Sequence, residues 1–458
     1  MLRLFQRTFL ALAMAGMVHS ASAFSLTGPF ATWETAALGY SPGGVGFDIG
    51  GPMNLGEGYR WNVKTMTYGF TKSFQDYFGQ RGIDEVNKAF AILNGLPPVS
   101  RMSQTLSEFP QDTRGINMQA FSLGLFDLKT EALGLLINQL GVADSTRYVW
   151  TLRSRATPAG ATNYVVVMRN FDPVTWNPSP YVNGVLYTYT IGEFGPVVRF
   201  TDAVESTVDP LALGFNTASH IDLNGNINIP AGYFPGVYYT GLTRDDVGGL
   251  RYLLSKKLLN VENLPTNIIG GASSPWMPVG VLATNTIVRI AMRPGVDKIA
   301  FKQLKYYGFF PGFTNVYTDV YVVNGHSFSQ RVQDVQILQP DIVFTAGDFG
   351  VDGNGGIPFL TSRSPAAAWA NNSNIQDNTP AVGEVDGPGV VQPTIIIGFS
   401  NVGPYLANSF PGFMNQFNAA SSFGGWAAFD GSANPPFIFP NGASIQDLQN
   451  SILNGGGL

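Results

Sequence analysis

Apolar residues recur every three or four positions in three segments of this chain, and this spacing predicts amphipathic helices. The segments are Ile83–Leu93, Leu123–Leu140 and the stretch that begins at Thr243. Asn94-Gly95 stops the first helix, Gly141 is the expected C-cap of the second, and Asp246 follows Thr243 by three residues as in a capping box. The predicted core face of the third helix consists of Val247, Leu250, Leu253 and Leu254.

Alternation of apolar and polar residues predicts strands along much of the remaining chain. In the first half these strands are Arg60–Phe70, Arg147–Arg153, Asn163–Arg169 and Val185–Ile191. In the second half Val316–Val323 and Ser327–Ile337 flank Asn324-Gly325, a dipeptide that favours the type I′ turn of a hairpin. Further predictions are strands at Thr394–Phe399 and Trp426–Phe429 and a terminal helix at Ser444–Leu453.

The change from mixed to β-rich patterning divides the chain in two. Pro265–Gly280 is rich in Pro, Gly and Ser and predicts a linker, residues 265–280. The predicted fold is therefore an α+β N-terminal domain, residues 24–264, followed by a mainly β, sandwich-like C-terminal domain, residues 281–458. A polar loop is predicted at residues 362–389 within the second domain.

The first 23 residues have the pattern of a secretory signal peptide. Arg3 and Arg7 precede the apolar run Phe9–Val18, which is too short to span a bilayer, and Ala21-Ser22-Ala23 supplies the small residues of a cleavage site. We therefore expect cleavage after Ala23, with Phe24 as the first mature residue, and a secreted, extracellular protein.

Charged residues are scarce, and this changes the expected surface. Asp, Glu, Lys and Arg make up 12% of the chain, against about 25% in an average soluble domain. The leader accounts for two of the 26 basic residues, so 24 remain against 31 acidic ones. With no Lys/Arg cluster to follow a phosphate backbone, nucleic acid is not an expected partner. A polar but uncharged surface solubilises weakly, so a homo-oligomer or fibre of the chain is an expected partnership.

The chain contains no cysteine, so disulfides cannot stabilise it. Burial of apolar surface must do so instead, and calcium and assembly are optional additions to it. Beyond the leader no apolar run reaches about 18 residues, so no transmembrane anchor is expected.

Histidine is the most restrictive count for catalytic chemistry. Of three histidines only His220 and His326 follow the leader, which excludes a three-His or His/Cys zinc site. His326 comes directly after the predicted hairpin turn, and His220 precedes Ile221-Asp222, so both are interpreted as structural residues. The sequence predicts no catalytic residue and no cofactor-binding residue.

Two segments have the alternating oxygen ligands of a calcium loop. The first candidate set is Asp348, Asp352 and Asn354, and the second is Asp222, Asn224 and Asn226. The second set has one carboxylate and lacks the glycine and glutamate of an EF-hand loop. Turns stabilised by Asn and Asp side chains are the alternative interpretation of both segments.

Carboxylates and tryptophans leave two other classes of site open. Glycosidases need only a pair of Asp or Glu residues, and the chain has 31 acidic residues. Exposed tryptophans would stack on sugars, and the candidates are Trp176, Trp276, Trp369 and Trp426. Packing in the core or against a loop is the alternative role for each tryptophan.

Two groups of residues in the first half share the pattern of a known family. Arg60-Trp61-Asn62, Met66–Phe70 and the helix around Val86 and Phe90 resemble the opening strand and first helix of matrixin-like metzincin metalloproteases. Leu242–Leu253 resembles their closing segment, where Leu-Thr-x-x-Asp starts the last helix. That family binds zinc through H-E-x-x-H-x-x-G-x-x-H, a motif that this chain lacks. The resemblance of residues 60–260 therefore implies the scaffold without its zinc centre, and no catalytic residue is carried over.

These observations favour a non-enzymatic protein that has a structural or adhesive role at the cell surface or in the extracellular matrix. Self-assembly would use its uncharged faces and strand edges. Two alternatives stay open. One is a secreted hydrolase, either on a diverged metalloprotease-like scaffold or with two carboxylates, and the other is a protein that binds surface glycans through its tryptophans.

Overall fold

The structure is a computed structural model of the chain. It describes residues 23–28, 31–40, 51–55, 60–61, 64–70, 72–143, 145–193, 203–208, 235–263, 269–270, 290–304, 313–323, 326–336, 342–344, 361–362, 391–392, 425–440, 443–447 and 450. The predicted strand Thr394–Phe399 lies outside the described residues, and so does the predicted loop at residues 362–389 apart from Ser362.

Helices and many short strands alternate along the described chain. The helices are α1 (Lys72–Gly95), α2 (Met118–Ser122), α3 (Leu128–Gln139), α4 (Ser145–Tyr148) and α5 (Arg244–Leu254). The strands of the first half are β1 (Phe24–Gly28), β2 (Gly51–Pro52), β3 (Thr65–Phe70), β4 (Arg114–Ile116), β5 (Leu125–Asp127), β6 (Val142–Ala143), β7 (Thr151–Ala156), β8 (Asn163–Val167), β9 (Asn170–Phe171), β10 (Tyr181–Val182), β11 (Val185–Leu186), β12 (Thr188–Glu193), β13 (Ala203–Val208) and β14 (Val237–Tyr239). Those of the second half are β15 (Leu259–Asn263), β16 (Ile269–Gly270), β17 (Ile290–Pro294), β18 (Ala300–Gln303), β19 (Phe313–Val323), β20 (His326–Gln336), β21 (Ile342–Phe344), β22 (Thr361–Ser362), β23 (Val391–Gln392), β24 (Gly425–Ala428) and β25 (Phe437–Ile438).

Helix α1 contains the predicted helix Ile83–Leu93 and is longer than predicted. It begins at Lys72 and is interrupted at Gly79, where φ is 60°. Phe74 and Phe78 precede the interruption and are fully buried. The sequence prediction started at Ile83 and did not include these earlier turns.

The predicted helix Leu123–Leu140 is wrong in its first part. Residues 118–122 form α2, and Gly124 then adopts a φ of 67°, which ends helical geometry before β5. The main helix, α3, begins after Asp127, whose carboxylate accepts the backbone N–H of Thr130. Gly141 ends it as predicted, because its φ of 99° lets its N–H donate to the Asn138 carbonyl.

Helix α5 confirms the predicted capping box and core face. The Thr243 hydroxyl accepts from the backbone N–H of Asp246, while the Asp246 carboxylate accepts from the backbone N–H of Thr243. The predicted core residues of this helix are all buried: Val247, Leu250, Leu253 and Leu254.

Strand β3 lies in the middle of a four-stranded sheet with the order β18-β3-β21-β22. Both β18 and β21 run parallel to β3, with Phe301 opposite Met66 and Phe344 opposite Phe70. In another sheet β24 runs parallel to β5 and pairs with β25. Strands from both sides of the predicted linker at 265–280 therefore share sheets, and the position of a domain boundary stays a prediction.

The largest apolar cluster joins the same two parts of the chain. The rings of Tyr68 and Phe90 stack with centroids 3.5 Å apart, Phe90 lies 5.2 Å from Phe301, and Phe70 lies 5.5 Å from Phe344. Helix α3 packs along α1 and is buried on nearly every face. This cluster holds α1 and α3 against the β18-β3-β21-β22 sheet.

The predicted hairpin in the second half is confirmed in its strands and register. Strands β19 and β20 are antiparallel and place Val323 opposite His326. The turn residues Asn324-Gly325 lie outside the described residues. By contrast, Arg147–Arg153 is only partly a strand, because α4 occupies residues 145–148 and β7 starts at Thr151.

The described chain is therefore a mixed α and β structure built from helices and small sheets. The sandwich-like arrangement of the second half stays a prediction. None of the helices in the described ranges has the length and hydropathy to cross a bilayer.

Candidate functional site

The six predicted calcium ligands lie outside the described residues, and the calcium prediction stays open. They are Asp348, Asp352, Asn354, Asp222, Asn224 and Asn226. His220 also lies outside, and His326 is the first residue of β20. Within the described ranges no three His, Asp or Glu side chains come together as a metal site would require.

The four tryptophans considered for sugar stacking differ in position. Trp426 is 1% exposed and packs beside Phe126, which agrees with the core-packing role considered for it and not with sugar stacking. Trp176 is 39% exposed and lies against Tyr252 at 5.2 Å. Trp276 and Trp369 lie outside the described residues.

The clearest surface feature is a group of three exposed apolar side chains, here called the apolar surface. It consists of Ile116 at 56% exposure, Met118 at 69% and Phe121 at 51%. Met118 and Phe121 are three residues apart on α2 and so lie on one face. Ile116 pairs with Val237, and Phe121 is close to Gly236, so both residues lie beside the start of β14.

Asn117 fixes the geometry of the apolar surface. Its Oδ1 accepts the N–H of Ala120 at 2.9 Å, which starts α2. Its Nδ2 donates to the Asp430 carbonyl at 2.9 Å, and its backbone N–H donates to the Gly236 carbonyl at 2.8 Å. Because these bonds bury Asn117 and Ala120, the apolar residues on either side of them point outward.

Gly236 is required where the apolar surface meets β14. Its φ is 76°, and a Cβ there would come within 2.6 Å of the Phe121 Cβ. Both the positive φ and the close approach exclude a side chain. A larger residue would clash with Phe121 and with the Asn117 carbonyl.

The sequence pattern did not reveal this surface. Met118 and Phe121 have the same spacing as core residues, and α2 is too short for a period to show which face is buried. The one available signal was Asn117, an N-cap type of residue before a short apolar run that Gly124 ends.

A second feature is a buried carboxyl group, Asp127, at the start of α3. It accepts from the Thr130 N–H at 3.0 Å and from the Thr130 hydroxyl at 2.6 Å, and Lys129 Nζ lies 3.9 Å away. Burial raises the pKa of Asp127, and the negative charge of Glu85 adds to this, against the lowering effects of Lys129 and Thr130.

Glu85 differs from Asp127 in its partners. Its carboxylate is 3.2 Å from Arg81 Nε and 2.8 Å from Lys88 Nζ on the same helix, α1. Both carboxyl groups are buried, so they are placed to affect stability rather than to meet a substrate.

Substitution of Asp127 by Asn is expected to remove a pH-dependent loss of stability. The pKa of Asp127 is higher in the folded state than in the unfolded state. The stability that protonated Asp127 contributes is therefore complete below about pH 4 and is lost as pH rises through the folded-state pKa. Asn keeps an acceptor for Thr130 but cannot ionise. Thermal unfolding from pH 4 to 8 should show that the stability of D127N increases relative to that of the wild type as pH rises.

The control for this prediction is Asp127→Ala, which removes the N-cap as well as the charge. It is expected to be less stable than D127N at every pH, by about 0.5–2 kcal/mol. A D127N curve parallel to that of the wild type across the whole range would contradict the prediction.

The segments that carry the metzincin resemblance correspond to β3, α1 and α5. Their presence as strand and helices does not distinguish that family from others, so the resemblance stays a prediction. Comparison of the chain with protein-family models, with curated proteins and with solved structures finds no match.

Proposed function

We propose that this is a secreted protein with a structural or adhesive role, and that it assembles with further copies of itself through the apolar surface. The observation that carries the proposal is the exposure of Ile116, Met118 and Phe121, each more than half accessible. Covering a large apolar side chain is worth about 1.5–3 kcal/mol. A patch of three thus provides a driving force for association.

A second copy is favoured as the occupant by the charge content of the chain. With charged residues at 12%, two copies meet little electrostatic repulsion. Near the apolar surface, the opposite charges of Arg114 and Asp112 lie 3.3 Å apart and balance each other. A self-complementary apolar patch suits a two-fold interface, in which the same surface is used by both copies.

Strand β4 adds a strand edge to this proposed interface. It pairs with β14 on one side, and among the described strands none pairs with its other side. Ile116 ends this strand, so a second copy that covers the apolar surface also approaches a strand edge.

The test compares the mature protein with the double variant Met118→Lys/Phe121→Lys. Both side chains are exposed, so the fold is expected to survive while association is lost. Sedimentation equilibrium over a hundredfold range of concentration should give an increasing mass for the wild type and a constant monomer mass for the variant.

The matched control is Val165→Lys, which places a lysine at another exposed apolar position, on β8. It should associate as the wild type does. A monomeric wild type, or equal association of all three proteins, would refute assembly through this surface.

A further inference from the structure

Strand β1, which follows the predicted leader directly, is an interior strand. All five of its residues, Phe24–Gly28, are buried. It pairs with β2, β6 and β9, and α5 packs on it. The first mature residues are therefore part of the core and not a flexible extension.

The backbone N–H of Ala23 donates to a buried carboxylate. The acceptor is Asp245 Oδ1, 2.9 Å away, and both residues are fully buried. The other oxygen of Asp245 accepts from the backbone N–H of Asn183 at 2.5 Å, and Asn183 Oδ1 accepts in return from the N–H of Asp245 at 3.3 Å. Asp245 thus joins the start of the chain to the first turn of α5.

The neighbouring Phe24 side chain has its own enclosed site. Its ring lies 6.3 Å from Phe171, 6.0 Å from Trp176 and 5.9 Å from Tyr252, measured between centroids. Helix α5 leaves space for it at Gly248, where a Cβ would come within 3.2 Å of the Phe24 ring. The backbone of Ala23 and the side chain of Phe24 are therefore both held in place.

We propose that Asp245 is the binding site for the amino group of the mature protein, and that the mature chain begins at Ala23. Hydrolysis of the Ser22–Ala23 peptide bond consumes one water. It leaves a carboxylate on the released leader and an amino group on Ala23, which takes up a proton at neutral pH. The existing 2.9 Å hydrogen bond then becomes an ion pair without movement of the strand.

The proposed cleavage site, between Ser22 and Ala23, lies one residue before the site predicted from the sequence, after Ala23. Ser20 and Ser22 are small residues at the two positions where the cleavage enzyme requires them, as Ala21 and Ala23 are for the predicted site. Cleavage after Ala23 would remove the nitrogen that Asp245 binds. Cleavage after Ser22 retains it and adds a positive charge beside a buried carboxylate, which offsets the cost of burial.

Removal of the leader then completes the fold. Ala23 is fully buried and directly precedes the buried strand β1, so the new amino group lies in an enclosed site. The cleavage bond adjoins a buried strand, so it is accessible to a protease only before β1 docks. The order of events is export, cleavage and then docking of β1.

The first experiment is N-terminal sequencing and intact-mass measurement of the protein purified after export. A chain that begins at Ala23 is expected. A start at Phe24, or at any residue before Ala23, would overturn the proposal.

The second experiment measures the free energy of unfolding of the protein with and without a Gly-Ser dipeptide before Ala23. The extension keeps the Ala23 N–H that donates to Asp245 but removes the positive charge of the amino group. It is expected to lower the folding equilibrium constant by about 10- to 100-fold, because the hydrogen bond is no longer an ion pair. The same dipeptide after Leu458 serves as the positional control and should change little. An N-terminal extension that leaves the free energy of unfolding unchanged would overturn the proposal. This experiment needs no substitution in the core.

Two aspartate variants separate binding of the amino group from helix capping. In Asp245→Asn the extension should cause little further loss, because both changes remove the same ion pair. In Asp246→Asn, which weakens the capping box, the extension should have its full effect. Additive losses with Asp245→Asn would contradict the proposal. The proposal shares with the proposed function only the removal of the leader, so failure of self-assembly leaves these outcomes unchanged.

Discussion

A fragment that spans residues 23–264 is expected not to fold on its own. Its strand β3 would lose both neighbours in the sheet, because β18 and β21 lie beyond the end of the fragment. Two rows of backbone hydrogen bonds would be left open at the centre of the structure. The loss affects the middle of a sheet and not an edge, which makes it more severe than removal of a peripheral segment.

The fragment would also lose side chains that complete its core. Phe301, Ile342, Phe344 and Trp426 are buried in the cluster that contains α1 and α3. Each contributes about 1.5–3 kcal/mol on burial, and an entire domain has only about 5–15 kcal/mol of net stability. Removing four such residues is therefore expected to unfold the remainder.

The measurement is near-UV circular dichroism and urea unfolding of the fragment 23–264, alone and mixed with 265–458. Alone, the fragment should lack a cooperative transition; mixed, the two fragments should recover one by pairing β3 with β18 and β21. Cooperative unfolding of the isolated fragment would instead support the predicted boundary at 265–280 as the edge of an independent domain.

Local signals in the sequence predicted local structure well. The Thr243 and Asp246 capping box and the Gly141 C-cap depend on residues three or four positions apart, and the structure has both. The Asn-Gly dipeptide likewise predicted the register of β19 with β20. In each case the residues that determine the geometry are neighbours in the chain.

Long-range pairing was not predictable in the same way. Period-two alternation identifies a strand but not its partner, and β3 is paired with strands more than 200 residues away. Parallel pairs have no connecting turn whose chemistry gives their register. The predicted linker was inferred from composition, which carries no information about the sheets that the chain forms on either side.

The candidate sites were predictable only where the chemistry depends on residue type alone. Counting His and Cys limited the possible metal sites without any structure. The apolar surface and the Asp245 site depend on exposure and on a contact between residues 23 and 245, neither of which periodicity provides. The sequence therefore predicted a leader directly before residues 24–28 but not that these residues form a strand in the core.

Substitution of Trp426 by Ala is expected to cost about 3–5 kcal/mol of stability, the range for removal of a buried Trp. Trp426 lies in β24 opposite Phe126 of β5, with the two rings 6.1 Å apart, and its carbonyl accepts the N–H of Phe439 at 2.9 Å. Its indole thus fills the space between a strand of the second half and the start of α3. Alanine would leave a cavity that the parallel β5–β24 pair cannot close.

Two controls distinguish a core role of Trp426 from a general sensitivity of this sheet. Trp426→Phe keeps an aromatic ring and should lose less stability than Trp426→Ala. Phe437→Ala, on neighbouring β25, truncates a ring that is 37% exposed and should cost about 1 kcal/mol or less. Urea unfolding gives all three values. A Trp426→Ala protein with unchanged stability but reduced binding to a glycan array would contradict the core role, because only an accessible indole can lose a ligand without weakening the fold.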